Sequence, residues 1–187
     1  MRNAAYCVAT FRVLALLGSV LFGVVCGAPT VLAAEGPQLP ELPRATVDTT
    51  MPIQRGTTHH PATSEDLQQA LRQAKAGDTI VLQAGATYAG PITLPKRADD
   101  GWVVLCSSAM DALPMPGVRV TPVHSRSMPK IVCKANGEPA LRAAEGARGY
   151  RLMGIEFAPA QQVKKVTSIV ELHHNSTRLE DVPSHIV

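Results

Sequence analysis

Thr63-Ser64-Glu65-Asp66-Leu67-Gln68-Gln69-Ala70-Leu71, followed by Ala74-Lys75-Ala76-Gly77-Asp78-Thr79-Ile80-Val81-Leu82, is the stretch on which the fold turns. Thr63 can cap the first free N–H groups of a helix, and Asp66 can bond back to it in a capping box. Leu67, Ala70, Leu71 and Ala74 then fall at i, i+3, i+4 and i+7, a single apolar stripe. Lys75 suits the negative C-terminal end of a helix, and Gly77 supplies the stop. The spacing predicts a helix over 64–76. It is short, so it needs a surface on which to dock its stripe. Directly after Asp78 the pattern changes to Thr79-Ile80-Val81-Leu82, a β-prone run closed by Gly85.

Downstream, short apolar runs alternate with turn residues. They are Pro91–Pro95, Trp102–Cys106, Lys130–Cys133, Pro139–Leu141, Tyr150–Met153 with Ile155 and Phe157, Ser168–Leu172 and His185–Val187. With Thr79–Leu82 they make eight strands in about 110 residues, and no long helix separates them. A doubly wound sheet is therefore excluded. A weak repeat aligns Thr79-Ile80-Val81, Lys130-Ile131-Val132 and Ser168-Ile169-Val170. It also aligns Ile92-Thr93-Leu94 with Ala140-Leu141, and Trp102–Leu105 with Tyr150–Met153. Three strands per repeat, then a return to the first, describe a three-sheet solenoid in which like residues stack as rungs at about 4.8 Å. Ser107 to Pro129, rich in proline, reads as an insertion projecting from one coil. In this alignment Cys133 lies on the first sheet and Cys106 on the third. They are read as two unpaired cysteines acting as small hydrophobes.

The opening, Asp66-Leu67-Gln68-Gln69-Ala70-Leu71 through Ala74–Leu82 to Gly85, Tyr88 and Gly90-Pro91-Ile92, resembles that of right-handed parallel β-helix proteins. These are the pectin-lyase-like group, which includes secreted polysaccharide lyases of the alginate-lyase and chondroitinase type. The resemblance covers residues 63–95 well and Tyr150 to Phe157 more loosely. It implies an all-β, right-handed parallel β-helix with an N-terminal capping α-helix that shields the edge of the first coil. It also implies kinship with lyases or hydrolases of acidic polysaccharide. The group has many more coils, with active sites on the outer faces of coils beyond these. No cap follows Ser184-His185-Ile186-Val187, so the solenoid is expected to be incomplete at its C-terminus and to lack the catalytic coils.

Outward from this core, Glu35 to Ala62 carries five prolines and no sustained periodicity, so residues 34–62 read as a Pro-rich linker. Residues 1–33 have the layout of a secretory signal peptide. Arg2 and Arg12 supply a positive n-region, Val13 to Gly27 is apolar and uncharged, and Val31-Leu32-Ala33 offers a cleavage site. Pro29 interrupts the run, which argues against an uncleaved span of ~20 residues. Val25 is too bulky for a lipoprotein site at Cys26. The expected product is a secreted, periplasmic or cell-surface protein of 154 residues with no stable membrane span, large enough for one domain. The whole chain has a formal charge of +3, and loss of Arg2 and Arg12 leaves +1. That balance, with only seven aromatic residues, argues against a nucleic-acid partner.

Candidate chemistry is sparse. Glu171 and His173 share one face of a strand, and Glu156 and Asp181 could lie near it, a set able to hold calcium or an acidic sugar. The plainer reading is outward polar residues on a solvated strand, and composition favours it. Arg119, Arg126, Lys130 and Lys134 form a basic cluster that could meet a uronate carboxylate. Asp99, Asp100 and Asp111 are expected to cancel much of it. His59-His60 and His173-His174 read as solvated pairs, and Asn175-Ser176-Thr177 is a glycosylation sequon in form. No nucleophile elbow, phosphate loop or zinc motif occurs. No catalytic, cofactor or metal residue is assigned, and calcium has no support. The functional expectation is an exported β-helix protein related to polysaccharide-active enzymes, with a polysaccharide or cell-surface glycan as partner. The alternatives are a non-catalytic glycan-binding module and an inactive fragment.

Overall fold

The computed structural model describes residues 50–115, 117–172 and 176–187. The expected export segment, the first part of the expected linker, and His173, His174 and Asn175 lie outside the described residues. The chain is mostly β. In order it forms β1 (Thr58–His59), α1 (Ser64–Gln73), β2 (Thr79–Leu82), β3 (Thr87–Ala89), β4 (Ile92–Leu94), β5 (Val103–Ser107) and β6 (Lys130–Cys133). Then come β7 (Leu141–Ala143), β8 (Arg148–Met153), β9 (Glu156–Pro159), β10 (Val170–Glu171) and β11 (Ser184–Ile186). Every described strand pair is parallel.

The strands form three sheets, ordered β1-β2-β5-β8-β11, β3-β6-β9 and β4-β7-β10. From β2 the chain visits the first, second and third sheet in turn, three times, and returns to the first with β11. This order fits a solenoid of parallel β-helix type. Side chains alternate inward and outward, as a pleated strand requires. Ile80 and Leu82 are fully buried while Thr79 and Val81 are half-buried. Inward residues align across coils: Ile80 with Leu105 and Leu152, Tyr88 with Ile131 and Phe157, Ile92 with Leu141. Outward residues pair by charge on the same rungs, Lys130 with Glu156 at 3.3 Å and Arg142 with Glu171 at 3.4 Å.

The strand alignment read from the sequence needs correction. Thr79–Val81, Lys130–Val132 and Val170 lie in the first, second and third sheets, not in one. An aliphatic triplet suits any inward rung, so its pattern does not say which sheet it enters. The sequence pattern gives no sign of β3 and merges β9 with β8 in the run from Tyr150 to Phe157, which shifts the phase of the repeat. The pairings of β4 with β7 and β5 with β8 are as expected, but Val103, not Trp102, stands opposite Tyr150. Cys106 lies in the first sheet and Cys133 in the second, and both are free. Burial raises the Cys106 thiol above its ordinary range. The 108–129 stretch does leave the sheets between β5 and β6.

The N-terminal edge is where sequence and fold agree most closely. The Thr63–Asp66 capping box forms, with Asp66 N donating to Thr63 Oγ1 at 3.1 Å and Thr63 N donating to Asp66 Oδ2 at 3.0 Å. Leu67, Ala70, Leu71 and Ala74 are all buried in the core. The helix ends at Gln73 rather than 76, because Lys75 N turns to donate to Asp78 Oδ2 at 2.9 Å. The segment read as linker contributes a strand, with Thr58 opposite Thr79 and His59 opposite Ile80. The Gln68 carboxamide brackets Thr93, donating to its O and accepting from its N at 2.8 Å each. Ser64 Oγ accepts from Ala89 N at 2.8 Å. Backbone groups on β2, β3 and β4 that face away from β5, β6 and β7 are thus met by β1, Ser64 and Gln68.

Asp78 ties β1 to this end. Its carboxylate accepts from Thr57 N at 2.7 Å and Lys75 N at 2.9 Å, and His59 Nε2 lies at 3.4 Å. Burial pushes its pKa up, but the two backbone donors and His59 outweigh that and hold it below the ordinary value of 3.8. A carboxylate with a lowered folded-state pKa stabilises fully above its unfolded pKa and loses that contribution as pH falls through the folded value. Asp78→Ala leaves two donors without an acceptor and is expected to cost about 1–3 kcal/mol at neutral pH. Urea denaturation followed by circular dichroism measures it. The difference from the native chain should shrink once the pH falls below that of ordinary carboxylates.

Candidate functional site

Asp99-Asp100-Gly101 forms the turn that leads into β5, and Trp102 stands at its end, one residue before the strand. Gly101 adopts φ 121°, open to glycine but strained for other residues. Gly77 N donates to Trp102 O at 2.9 Å, which anchors the backbone of the ring. Arg151 projects from β8 with its guanidinium carbon 5.5 Å from the Trp102 ring centre. Arg151 is buried and donates to Thr50 O at 3.0 Å, which holds its guanidinium against the indole.

Register places three residues on one rung of the first sheet. Val103 lies opposite Tyr150, while Arg148 and Tyr150 lie opposite Ser184 and Ile186. Trp102, Gly149 and His185 are the intervening positions. Gly149 has no side chain, so the rings on either side approach over it, with centroids 6.3 Å apart at 68°. The gap is a cleft of about 240 Å³ lined by Asp99, Asp100, Gly101, Trp102, Arg148, Gly149 and His185. Gly149 takes φ 76°, and a Cβ there would overlap the Gly101 carbonyl. His185 has φ 53° and is the one non-glycine among the described residues with positive φ. Such backbone strain gathers at functional sites.

Arg97 braces two of the lining residues from behind. Its side chain is 4% exposed, and it donates to Gly149 O at 2.9 Å and Asp99 Oδ2 at 2.7 Å. Its guanidinium also stands 5.5 Å from the Tyr150 ring centre. Burial pushes the Tyr150 phenol far above its ordinary range, and its hydroxyl donates to Pro95 O at 2.8 Å. The Arg97 hydrogen bond holds the Asp99 carboxyl below the usual range against the opposing effect of burial, and Ala76 N adds a further donor. On the rim, Arg148 pairs with Asp100 at 2.7 Å.

The chemistry follows from these pairings. An indole, a guanidinium, a carboxylate and an imidazole converge on one shallow space. A general acid needs a raised carboxyl pKa, and the shift at Asp99 has the opposite sign. Both carboxylates are engaged, one by Arg97 and one by Arg148. The cleft therefore offers an aromatic face beside charged groups that are already paired.

The residues singled out from sequence are not brought together. Glu156 pairs with Lys130 on the second sheet, and Glu171 with Arg142 on the third. Asp181 sits in a 3-10 turn, Leu179–Asp181, where its O accepts from Gly146 N at 2.8 Å. Among the described residues no group of three His, Cys, Asp or Glu side chains could hold a metal ion. His59 is engaged with Asp78 rather than forming a metal pair with His60. Arg119, Arg126 and Lys134 are exposed and distribute around the insertion and the β6 end. Asp99 and Asp100 do not screen that basic cluster, because Arg97 and Arg148 hold them. Among the described residues no helix is long and apolar enough to cross a membrane. Sequence reasoning missed Arg97, Trp102, Arg148, Arg151 and His185 as a set. One signal was available: Asp-Asp-Gly places the single tryptophan on a polar turn rather than inside the apolar run that follows.

No family model matches this chain, and no curated protein or solved structure matches it.

Gly149→Ala is expected to lower stability by about 1–2 kcal/mol from the left-handed backbone alone, with the carbonyl overlap adding to it, read by thermal denaturation.

Proposed function

We propose that this chain is an exported right-handed parallel β-helix, related to the pectin-lyase-like group, whose first sheet carries a non-catalytic carbohydrate-binding cleft. Support for the winding comes from the sheet order and from chirality, since parallel crossover connections are right-handed in about 98% of cases. Support for a capping role of α1 comes from Gln68 and Ser64, which meet the edge groups of Thr93 and Ala89. Support for export is the layout of residues 1–33.

The observation that carries the functional reading is Trp102, backed by Arg151 and flanked by Arg148, Asp100 and His185. A sugar ring has an apolar face of C–H groups and a rim of hydroxyls. The indole suits the first, and a guanidinium with a carboxylate suits the second. Binding without turnover is favoured because both carboxylates of the cleft are already engaged.

A glycan array probed with the purified chain tests this reading. Retention of at least one polysaccharide is expected, without release of unsaturated ends. Trp102→Ala should weaken that retention about tenfold or more while the circular dichroism spectrum is unchanged. Retention that does not depend on Trp102 would move the site elsewhere, and retention of no glycan would remove the carbohydrate reading.

A further inference from the structure

We infer that the ligand is an internal stretch of a polysaccharide, laid across Trp102 so that it occupies a second cleft on the far side of the ring. The inference rests on the carbohydrate reading above and extends it to the mode of binding.

The second cleft has a volume of about 390 Å³ and includes Pro52, Ile53, Gln54, Arg55 and Gly77 in its lining. It shares Gly101 and Trp102 with the first, so the two adjoin at the indole. Gly101 keeps the junction low. A Cβ there would press on the Ala76 side chain. The first cleft alone lies below the range of about 300–1,000 Å³ usual for small-molecule sites, and the adjoining pair lies within it. A blind pocket suits the end of a chain, whereas two clefts meeting at a shared aromatic ring suit a run of units passing over it.

Each side of the ring has its own polar groups. Arg148, Asp100 and His185 stand on one side, Gln54 and Arg55 on the other. Gln54 Nε2 donates to Pro52 O at 3.0 Å, which fixes the amide beside the second cleft. Ile53, 77% exposed, adds an apolar contact of the kind a sugar face covers. The β1 end of the chain is therefore part of the binding surface as well as of the fold.

Isothermal titration of the full chain with neutral cello-oligosaccharides and acidic oligogalacturonides, from disaccharide to octasaccharide, tests the inference. In the series that binds, affinity should rise about tenfold or more between disaccharide and hexasaccharide and then level off, as linked units engage adjoining clefts. Gln54→Ala combined with Arg55→Ala should weaken the hexasaccharide severalfold and leave the disaccharide unchanged, whereas Arg148→Ala should weaken both. Ile53→Asp, at an exposed position that the fold tolerates, should repeat the effect of the double variant. Equal affinity for disaccharide and hexasaccharide, with Trp102 still required, would overturn the second cleft and leave the carbohydrate reading standing. Long oligosaccharides indifferent to all three distal substitutions would overturn it likewise. Binding of no oligosaccharide in either series would overturn both readings.

Discussion

A strand in a parallel sheet leaves half of its backbone hydrogen bonds to be satisfied by whatever lies on its other side. That requirement shapes the whole domain. Within the three sheets it is met by the ladders. On the outer side of β2, β3 and β4, among the described residues, three different devices answer, one per sheet. A two-residue strand pairs with β2, a serine hydroxyl meets Ala89, and a glutamine carboxamide meets Thr93. Each buried donor left unmet would cost about 1–3 kcal/mol, enough to matter in a domain whose total stability is a few times that. The apolar rungs supply the driving force, but the edge chemistry decides where the stack can begin.

The same stacking creates the cleft. Trp102, Arg148, Gly149, Arg151 and His185 are scattered over more than eighty positions, yet each lies on or just before a strand of the first sheet. Rung register, not sequence proximity, brings them together. One rung position filled by glycine turns an otherwise continuous outer surface into a recess with a ring on either side. Arg97 then reaches from the preceding turn to hold the carbonyl of that glycine, so the recess is braced from within. Buried charge here serves geometry: Arg97 is nearly enclosed, and its carboxylate partner is held ionised beside it.

How much of this was legible depended on range. The helix, its capping box and its stripe are local patterns, and Thr63, Asp66, Leu67 and Leu71 behave as their spacing requires. The insertion was legible from its prolines. The assignment of strands to sheets was not, because Ile80, Ile131 and Ile169 look alike in sequence and differ only in when the chain turns. Strands of two or three residues, such as β1 and β3, exist because neighbours pair with them and have no period of their own. The cleft was illegible for the same reason. Its members become neighbours only once the register is known, and a shift of one residue would have carried Trp102 to the other face.

Gln68 has a wider implication. A carboxamide is chemically a peptide group on a two-carbon stalk, and here it imitates a strand residue without being one. Because the imitation is made by a side chain, the outer edge of β4 is met by one residue of α1, with no further strand laid against it.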